Sequence, residues 1–383
     1  MTARLRMALV AGEASGDQLG AGLIEAARRL HPGLECFGVA GPAMKAAGCR
    51  AWHDTEELSV MGLTEVLRHL PRLVRLRRAL VSRLLADPPD VFVGIDAPDF
   101  NLPLAARVRA AGVPTVHYVC PSVWAWRQGR VRLLGRACDQ VLCLLPFEAP
   151  FLQRAGVPAT FVGHPFADQI RAEPDTAPAR ARLGLDAATV IGLLPGSRSA
   201  EIERLGPVFI EAATRLQAEL PDADFVAPMA NARLHEIFAG LARKSGPGLR
   251  LTLVDGRVRE VIAASDALLA TSGTVTLEAM LVNRPMVVAY RASPVTYALA
   301  TTLHLVKVSH FSLPNLLAGE RLVPELLQRE ATPARLAGEV LELLRSPARL
   351  DALRSRFELI GQQLRCDASA VAARVVTGLA RAG

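Results

Sequence analysis

Residues 271–278, TSGTVTLE, have the composition of an anion-binding site. They follow the apolar run 267–270 and lead into a helical pattern. Small side chains and Gly273 leave backbone N–H groups uncovered, and the start of a helix carries partial positive charge, which favours phosphate. Glu278 lies one turn into the helix, within reach of a sugar hydroxyl. We therefore predict a nucleotide or nucleotide-sugar site formed by Ser272, Gly273, Thr274 and Glu278.

A second candidate for phosphate binding is the turn PGSR, residues 195–198, which closes the apolar run 190–194. Arginine is always charged and can bind phosphate oxygens in a bidentate manner. We expect a diphosphate clamp formed by Gly196, Ser197 and Arg198. Glu201 and Glu203 follow, and we expect them only in solvated pairs on the helix surface.

Two carboxylates occur in GIDAPDFN, residues 94–101, where the apolar run 91–95 ends. Asp99 is placed to cap a helix that begins near Leu102. Asp96 has no comparable structural role. Because a carboxylate at the end of a strand can accept the proton of an attacking hydroxyl, we predict that Asp96 is a general base.

Two further segments carry polar residues that we expect in a cleft. In AGEASGD, residues 11–17, the spacing departs from the dinucleotide fingerprint and the acids would repel a pyrophosphate, which disfavours a dehydrogenase. A well-capped turn is the alternative for this segment. Residues 117–130, HYVCPSVWAWRQGR, place two tryptophans beside polar residues, more than core packing requires. The predicted cleft residues are Glu13, Ser15, Asp17, Trp124, Trp126, Arg127 and Gln128.

Residues 60–83, VMGLTEVLRHLPRLVRLRRALVSR, form a basic amphipathic stretch in which Glu65 is the only acid. Such a stretch fits an anionic membrane surface, although an ordinary helix with its apolar face inward is the alternative. The predicted membrane contacts are Val60, Met61, Leu63, Val66, Leu67, Arg68, Leu70 and Arg72.

These segments belong to a chain of 383 residues, which is too long for one ordinary core and suggests two domains. Short apolar runs alternate with helix-like stretches, as in parallel sheets with helices on both faces. The predicted strands are 7–11, 36–40, 91–95, 115–119, 140–145, 160–162, 190–194, 224–227, 251–254, 267–270 and 286–290. We predict two doubly wound α/β domains that face each other across a cleft, with ligands beyond the carboxyl ends of the strands.

The composition excludes several classes of protein. The net charge of +7 comes almost entirely from arginine, so we do not take it as evidence for nucleic acid binding. No run approaches the roughly 20 apolar residues that span a bilayer. The six cysteines form no CxxC pair, which indicates reduced, buried thiols in a cytoplasmic protein. The histidines lack ligand spacing, so we predict no metal and no cofactor, and structural roles for His117 and His164.

The motifs together resemble those of the lipid-A-disaccharide synthase family over nearly the whole chain. Cys120 stands where a serine is expected, and GHPFAD, residues 163–168, is a variant of the family pattern. The matching segments are GEASGD (12–17), VAGPAM (39–44), GIDAPDFN (94–101), PSVWAWRQGR (121–130), LPFE (145–148), LLPGSR (193–198), SGTVTLE (272–278), PMVVAYR (285–291) and LPNLLAG (313–319).

The resemblance implies an inverting GT-B glycosyltransferase of lipopolysaccharide assembly. Its donor would be UDP-2,3-diacylglucosamine and its acceptor 2,3-diacylglucosamine 1-phosphate, which give a β-1,6-linked disaccharide 1-phosphate and UDP. Asp96 would be the base on the acceptor 6-hydroxyl. Arg198 and residues 272–274 would hold the diphosphate, Glu278 the ribose, and Asn315 would lie near the nucleotide.

The resemblance also implies a domain organisation and a location. An acceptor- and membrane-facing domain (1–170) would be joined by a linker rich in proline and charge (171–180) to a UDP-sugar-binding domain (181–348). C-terminal helices (349–383) would return to the first domain and are candidates for exchange in a homodimer. The enzyme would be cytoplasmic, peripheral on the inner face of the inner membrane of a Gram-negative cell, and would not bind nucleic acid.

Three alternatives stay open from the sequence. Two are related GT-B enzymes, the peptidoglycan N-acetylglucosaminyltransferase and a UDP-sugar 2-epimerase. A soluble epimerase would not need the apolar and basic stretch 60–83. The third is a non-catalytic nucleotide-sugar-binding protein, which would need neither Asp96 nor the tryptophan segment.

Overall fold

The computed structural model of the chain describes residues 4–58, 63–125, 129–170, 176–293 and 309–382, with the backbone alone at 63–69, 381 and 382. The chain divides into two compact units. The first consists of Met1–Asp168 with Leu364–Gly383, and the second of Gln169–Gln363.

The first unit is built on a seven-stranded sheet in the order β3-β2-β1-β4-β5-β6-β7. All its neighbouring strands are parallel. The strand order therefore reverses between β1 and β4, which is where ligands of such sheets bind. The strands are β1 (Arg6–Ala11), β2 (Glu35–Ala40), β3 (Arg50–Asp54), β4 (Val91–Ile95), β5 (Thr115–Tyr118), β6 (Gln140–Cys143) and β7 (Ala159–Phe161).

Helices cover this sheet on both faces, each face with its own apolar cluster. The helices are α1 (Ala14–Leu30), α2 (Pro42–Ala46), α3 (Leu63–Ala86), α4 (Pro98–Ala110), α5 (Arg130–Ala137), α6 (Glu148–Arg154) and α7 (Pro165–Gln169), with a 3₁₀ turn at Thr55–Glu57.

The second unit is built on a six-stranded parallel sheet in the order β10-β9-β8-β11-β12-β13. Its order reverses between β8 and β11. The strands are β8 (Val190–Leu194), β9 (Asp224–Met229), β10 (Leu251–Asp255), β11 (Ala267–Thr271), β12 (Met286–Tyr290) and β13 (Glu325–Leu327). The helices are α8 (Thr176–Leu183), α9 (Ser199–Glu219), α10 (Ala232–Ser245), α11 (Val258–Ala264), α12 (Thr274–Leu281), α13 (Leu313–Ala318), α14 (Pro333–Leu344) and α15 (Pro347–Leu364), with a 3₁₀ turn at Gln328–Glu330.

The prediction of two doubly wound parallel sheets is confirmed, and every predicted strand is present. Central strands such as β4, β8 and β11 are buried along their whole length, which is why they read as continuous apolar runs. The sequence pattern missed β3 and β13. The sequence of β3, RAWHD, is that of a partly exposed edge strand, and β13 has only three residues, so neither forms an apolar run.

The predicted linker, 171–180, is only partly a linker. Residues 171–175 lie outside the described residues, but 176–180 belong to α8. Pro178 is compatible with this helix because proline is tolerated in a first turn. Arg180 anchors the other end of the helix. Arg180 donates to the carbonyl oxygen of Ala264 at 2.9 Å and pairs with Asp266 at 2.6 Å.

The C-terminal segment is shared between the units. Most of α15 groups with the second unit, whereas α16 (Ala368–Ala382) packs on α1 in the first. Ala372 and Val376 are fully buried in this contact. Asp168 accepts hydrogen bonds from the backbone of residues 366–368 and so caps the start of α16.

Two sequence predictions concern the state of the cysteines and the presence of a membrane-spanning segment. Five of the six cysteines are buried and Cys366 is exposed, with no disulfide among them. Across the described residues, no helix has both the length and the hydropathy to span a bilayer.

Candidate active site

A cavity of about 620 Å³ opens beyond the carboxyl ends of β8 and β11, where the strand order of the second sheet reverses. Its walls come from the ends of three neighbouring strands and from the first turns of α9, α11 and α12. The structure brings seven of the eight predicted donor residues to this cavity: Gly196, Ser197, Arg198, Ser272, Gly273, Thr274 and Glu278.

Glu201 holds the turn that carries Arg198. Its carboxylate accepts hydrogen bonds from the backbone N–H groups of Ser197 (3.0 Å) and Arg198 (3.3 Å). The Glu201 side chain also packs against Gly196. The φ of Gly196 is +117°, which favours glycine, and a Cβ added to Gly196 would lie 2.7 Å from the Cβ of Glu201. The prediction of a merely solvated Glu201 is therefore wrong. Sequence spacing could not show that the turn folds back over the first turn of its own helix.

The Arg198 side chain is free to meet a ligand. It is 75% exposed, and its closest ionic contact is a distant one, 3.8 Å from Nη1 to Oε1 of Glu201. A guanidinium held this loosely can move toward an anion at little cost.

The start of α12 supplies backbone donors to the same cavity. Gly273 precedes the helix and has no side chain to cover the N–H groups of the first turn, which lack intrahelical partners. Ser272 donates its hydroxyl to the carbonyl oxygen of Phe311 at 2.8 Å. That proton is committed to the protein, so an anion would meet the backbone N–H groups rather than the Ser272 hydroxyl.

Glu278 faces the cavity rather than capping its helix. It lies in the second turn of α12, and its carboxylate pairs with Nε of Arg259 at 3.1 Å. The side chain is 13% exposed, so one part is anchored and another lines the cavity.

Asn315 is not among the cavity-lining residues. The side chain is fully buried, and both ends of its amide bind the backbone of Val323, at 2.9 Å to the carbonyl and 2.8 Å from the N–H. The structure therefore corrects the predicted donor contact: Asn315 closes the loop after α13.

Asp96 lies where the strand order of the first sheet reverses, directly after β4. Its N–H donates to the carbonyl of Tyr118 at 2.9 Å. Burial raises the pKa of the Asp96 carboxyl above its ordinary value of 3.8, against the opposing hydrogen bond from the N–H of Ala97. A half-buried carboxylate with a raised pKa is a stronger base than an exposed one.

Asp99 has a different role from the one predicted. The helix α4 begins at Pro98 rather than near Leu102, so Asp99 lies within its first turn instead of capping it. The Asp99 carboxylate is exposed and pairs with Arg130 at 2.5 Å.

The segment 11–17, which follows β1, contains one buried acid and two exposed polar residues. Asp17 is buried and accepts hydrogen bonds from the N–H groups of residues 41, 43 and 44, at 2.8, 2.8 and 3.1 Å. Its predicted place in the cleft is wrong, because it holds the start of α2. Glu13 and Ser15 are exposed. Gly12 packs so closely on Ala97 that an added Cβ would lie 2.6 Å from the Ala97 Cβ.

Comparison with known proteins assigns the chain to a family. The family described as "Lipid-A-disaccharide synthetase" matches residues 7–376. The lipid-A-disaccharide synthase of Alkalilimnicola ehrlichii is 53% identical over 382 residues, 99% of each chain. That of Xanthomonas campestris pv. campestris strain 8004 is 52% identical over 376 residues, 98% of this chain and 86% of the relative. The chain belongs to the lipid-A-disaccharide synthetase family.

Solved structures share the fold of this family member at low sequence identity. The crystal structure of the glycotransferase of kitacinnamycin superposes with a TM-score of 0.62 at 19% identity, over 98% of both chains. The S. aureus MnaA–UDP co-structure also gives 0.62, at 16% identity over 98% of this chain and 95% of that one. The α/β architecture is thus of the GT-B type.

The tryptophan segment of this synthetase-family chain depends on a residue that sequence reasoning missed. Glu148 is buried, and its carboxylate accepts hydrogen bonds from Nε1–H of Trp124 (3.1 Å) and from the N–H of Leu145 (3.0 Å). Its place in the motif LPFE was the only signal for it. The thiols of Cys120 and Cys143 lie within 4.8 Å of a Glu148 oxygen and of each other. Trp126, Arg127 and Gln128 lie outside the described residues.

Two histidines of the first unit, the buried His117 and the half-buried His164, have lowered pKa values. Burial lowers the pKa of His117 and of His164 to about 4. Neither ring nitrogen of His117 has a hydrogen-bond partner among the described residues. Nδ1 of His164 accepts from the N–H of Phe166 at 3.2 Å. The hydrogen bond to His164 fits its predicted structural role, whereas His117 makes no such bond within the described residues.

We predict that Glu148→Gln will flatten the pH dependence of stability in the first unit. Burial raises the pKa of Glu148 to about 7 from 4.5. A raised carboxyl pKa stabilises the fold below pH 4.5, and this contribution is lost as pH rises to about 7. The wild type should lose roughly 3 kcal/mol more than the variant across this window. All three tryptophans lie in the first unit, so their fluorescence during urea unfolding measures it.

The matched control is Glu25→Gln, which removes an exposed carboxylate from α1. It should keep the wild-type slope between pH 5 and pH 8. An unchanged slope in Glu148→Gln would contradict the prediction.

Proposed function

We propose that this glycosyltransferase joins UDP-2,3-diacylglucosamine to 2,3-diacylglucosamine 1-phosphate, forming the β-1,6-linked disaccharide 1-phosphate and UDP. The family assignment and the match of motifs support these substrates. The cavity at the end of β8 and β11 carries the proposal, because an exposed arginine and a helix N-terminus there offer positive charge to one ligand.

The donor is held through its diphosphate and its ribose. Arg198 binds the diphosphate oxygens from one side of the cavity, and the first N–H groups of α12 bind from the other. The free lone pairs of Glu278 accept hydrogen bonds from the ribose hydroxyls. Arg259 orients that carboxylate through the contact at 3.1 Å.

The reaction is a single in-line displacement. Asp96 accepts the proton of the acceptor 6-hydroxyl while its oxygen forms a bond to the anomeric carbon of the donor. The bond from that carbon to the diphosphate oxygen breaks, and its electron pair leaves with UDP. One displacement inverts the anomeric carbon and gives the β linkage. The charge that develops on the leaving diphosphate is neutralised by Arg198 and the α12 N-terminus.

The decisive experiment incubates the purified enzyme with the two acylated glucosamines and detects UDP and the disaccharide 1-phosphate by mass spectrometry. The two products should appear in equal amounts. UDP without disaccharide would reject the proposed acceptor. Conversion of UDP-N-acetylglucosamine to its 2-epimer would instead favour an epimerase.

Glu278→Gln tests the ribose contact. An amide keeps the shape but weakens acceptance from two hydroxyls, so UDP affinity should fall roughly tenfold. Calorimetry with UDP and with 2′-deoxy-UDP separates this role from others. The wild type should prefer UDP, and the variant should lose most of that preference. An unchanged preference would remove Glu278 from the ribose site.

We further propose that the enzyme is cytoplasmic and peripheral on the inner face of the inner membrane. Both substrates carry acyl chains, and α3 exposes one apolar and one basic side chain close together, at Leu70 and Arg72. Leu70 is 48% exposed and Arg72 is exposed, whereas Leu80 and Leu84 are buried in the core. Val60 and Met61 lie outside the described residues, as do the side chains of Leu63, Val66, Leu67 and Arg68.

Leu70→Ser should weaken binding to vesicles that contain anionic phospholipid roughly tenfold, because one leucine side chain no longer enters the interface. Sedimentation with liposomes measures this effect. Leu359→Ser is the control, since Leu359 is 51% exposed on α15. Equal binding by both variants would indicate that α3 is an ordinary helix of the fold.

A homodimer that exchanges residues 349–383 between subunits stays a prediction, and light scattering of the purified enzyme can test for the dimer.

A further inference from the structure

Asp96 and Ala97 stand in an unusual backbone conformation. Their φ angles are +50° and +42°, so two consecutive residues with side chains occupy the left-handed region. Such residues persist only where the surrounding structure holds them, and they cluster at functional sites. The turn after β4 therefore requires a restraint, and it is the turn that aims the Asp96 carboxylate.

Asn101 supplies this restraint from the first turns of α4. Its side chain is completely buried, and Nδ2 lies 3.2 Å from the carbonyl oxygen of Val10, 3.2 Å from that of Ile95 and 2.8 Å from that of Asp96. One amide thus joins the end of β1, the end of β4 and the base itself. Oδ1 has no partner within the described residues, so the side chain is held through its nitrogen alone.

Two glycines make room for this arrangement. A Cβ at Gly94 would lie 3.0 Å from the Cβ of Asn101, and a Cβ at Gly12 would lie 2.6 Å from that of Ala97. Three carbonyl oxygens converge on one position, so a side chain with hydrogen-bond donors suits it. A carboxylate there would repel all three oxygens.

We propose that Asn101 is a positioning residue that holds the half-buried Asp96 carboxylate in its orientation at the end of β4, and this rests on the proposed role of Asp96 as the base. Asn101 does not touch the substrate. Without its amide, the left-handed turn relaxes and the carboxylate gains access to water. The base then becomes both misplaced and weaker.

The test is the pH–rate profile of Asn101→Ala with saturating substrates. We expect kcat to fall roughly 10- to 100-fold, as for a catalytic group displaced by about an ångström, with KM for the donor unchanged. The acid limb of the profile should move to lower pH, toward the ordinary carboxyl value, because water now solvates Asp96. A residue with only a structural role would lower stability without moving this limb.

The control is Thr115→Val, which removes a buried donor at the amino end of β5, away from the carboxyl end of β4 where Asp96 lies. Thr115 is fully buried and donates to the carbonyl of Ala137 at 2.9 Å. This variant should lower the free energy of unfolding but leave kcat and the acid limb unchanged. If Asn101→Ala fails to fold, Asn101→Ser retains one donor, and we expect it to fold with an intermediate kcat and an intermediate acid limb.

The double variant Asp96→Asn/Asn101→Ala separates the two proposals. Its activity should equal that of Asp96→Asn alone, because Asn101 acts only through the base. A wild-type acid limb and kcat in folded Asn101→Ala or Asn101→Ser would overturn the positioning role and leave the base intact. Near-normal activity of Asp96→Asn would instead overturn the base itself.

Discussion

Asp96→Asn will lower kcat by roughly 10²- to 10⁴-fold, the usual contribution of a general base. An asparagine of the same shape cannot accept the proton of the acceptor hydroxyl. Affinity for UDP should not change, since the donor cavity is formed by the ends of β8 and β11 and the helices that follow. Coupled detection of UDP release gives kcat, and calorimetry gives the affinity.

The stability of the same variant gives an independent control. Burial raises the pKa of Asp96, so its ionisation destabilises the folded state as pH rises above its ordinary value of 3.8. Asp96→Asn should therefore unfold at the same or a higher urea concentration than wild type at pH 7. Activity that is lost together with stability would indicate damage to the fold instead of loss of the base.

The pH profile of the wild type follows from the same shift. The base must be ionised to act, so kcat falls as pH falls through the pKa of Asp96. Because burial raises that pKa, the acid limb should lie above the value of an exposed aspartate.

Arg198→Ala should weaken UDP binding roughly 10- to 100-fold, because charge-assisted hydrogen bonds to a diphosphate are strong. Since Arg198 is 75% exposed, its removal should leave the free energy of unfolding nearly unchanged. Titration calorimetry with UDP and with uridine separates the contacts. Affinity for uridine should be the same in both proteins.

The matched control is Arg215→Ala, which removes the same charge from an exposed position in the later turns of α9. It should bind UDP as tightly as wild type. Equal losses in both variants would mean that general electrostatic attraction, rather than a clamp, accounts for the effect of Arg198.

Much of the fold and of the donor site could be read from the sequence. Buried parallel strands need apolar side chains on both faces, so β4, β8 and β11 were visible as apolar runs. The residues that follow such strands meet at one edge of a sheet by topology alone. The turn 195–198 and the segment 271–278 both follow such strands, and both line the same cavity.

The partners of individual carboxylates and amides were decided by the tertiary structure. Asp17, Asn101 and Glu148 are all polar residues beside strand ends, and sequence types do not separate ligand-binding groups from structural ones. Asp17 accepts hydrogen bonds from the N–H groups of residues 41, 43 and 44, and Asn101 donates one to the carbonyl of Val10, far away in the chain. Those contacts exist only after the strands have paired.

The sequence alone determined the family through its motifs. It also determined the two parallel sheets and the edge of each sheet where ligands are expected, because apolar periodicity and turn residues are local properties. The tertiary structure decided that Asp17 and Asn315 serve the scaffold and that Glu201, Glu148 and Asn101 hold the segments that carry Arg198, Trp124 and Asp96. It did so because a buried polar group must bind whichever donors and acceptors the folded chain brings within about 3 Å of it.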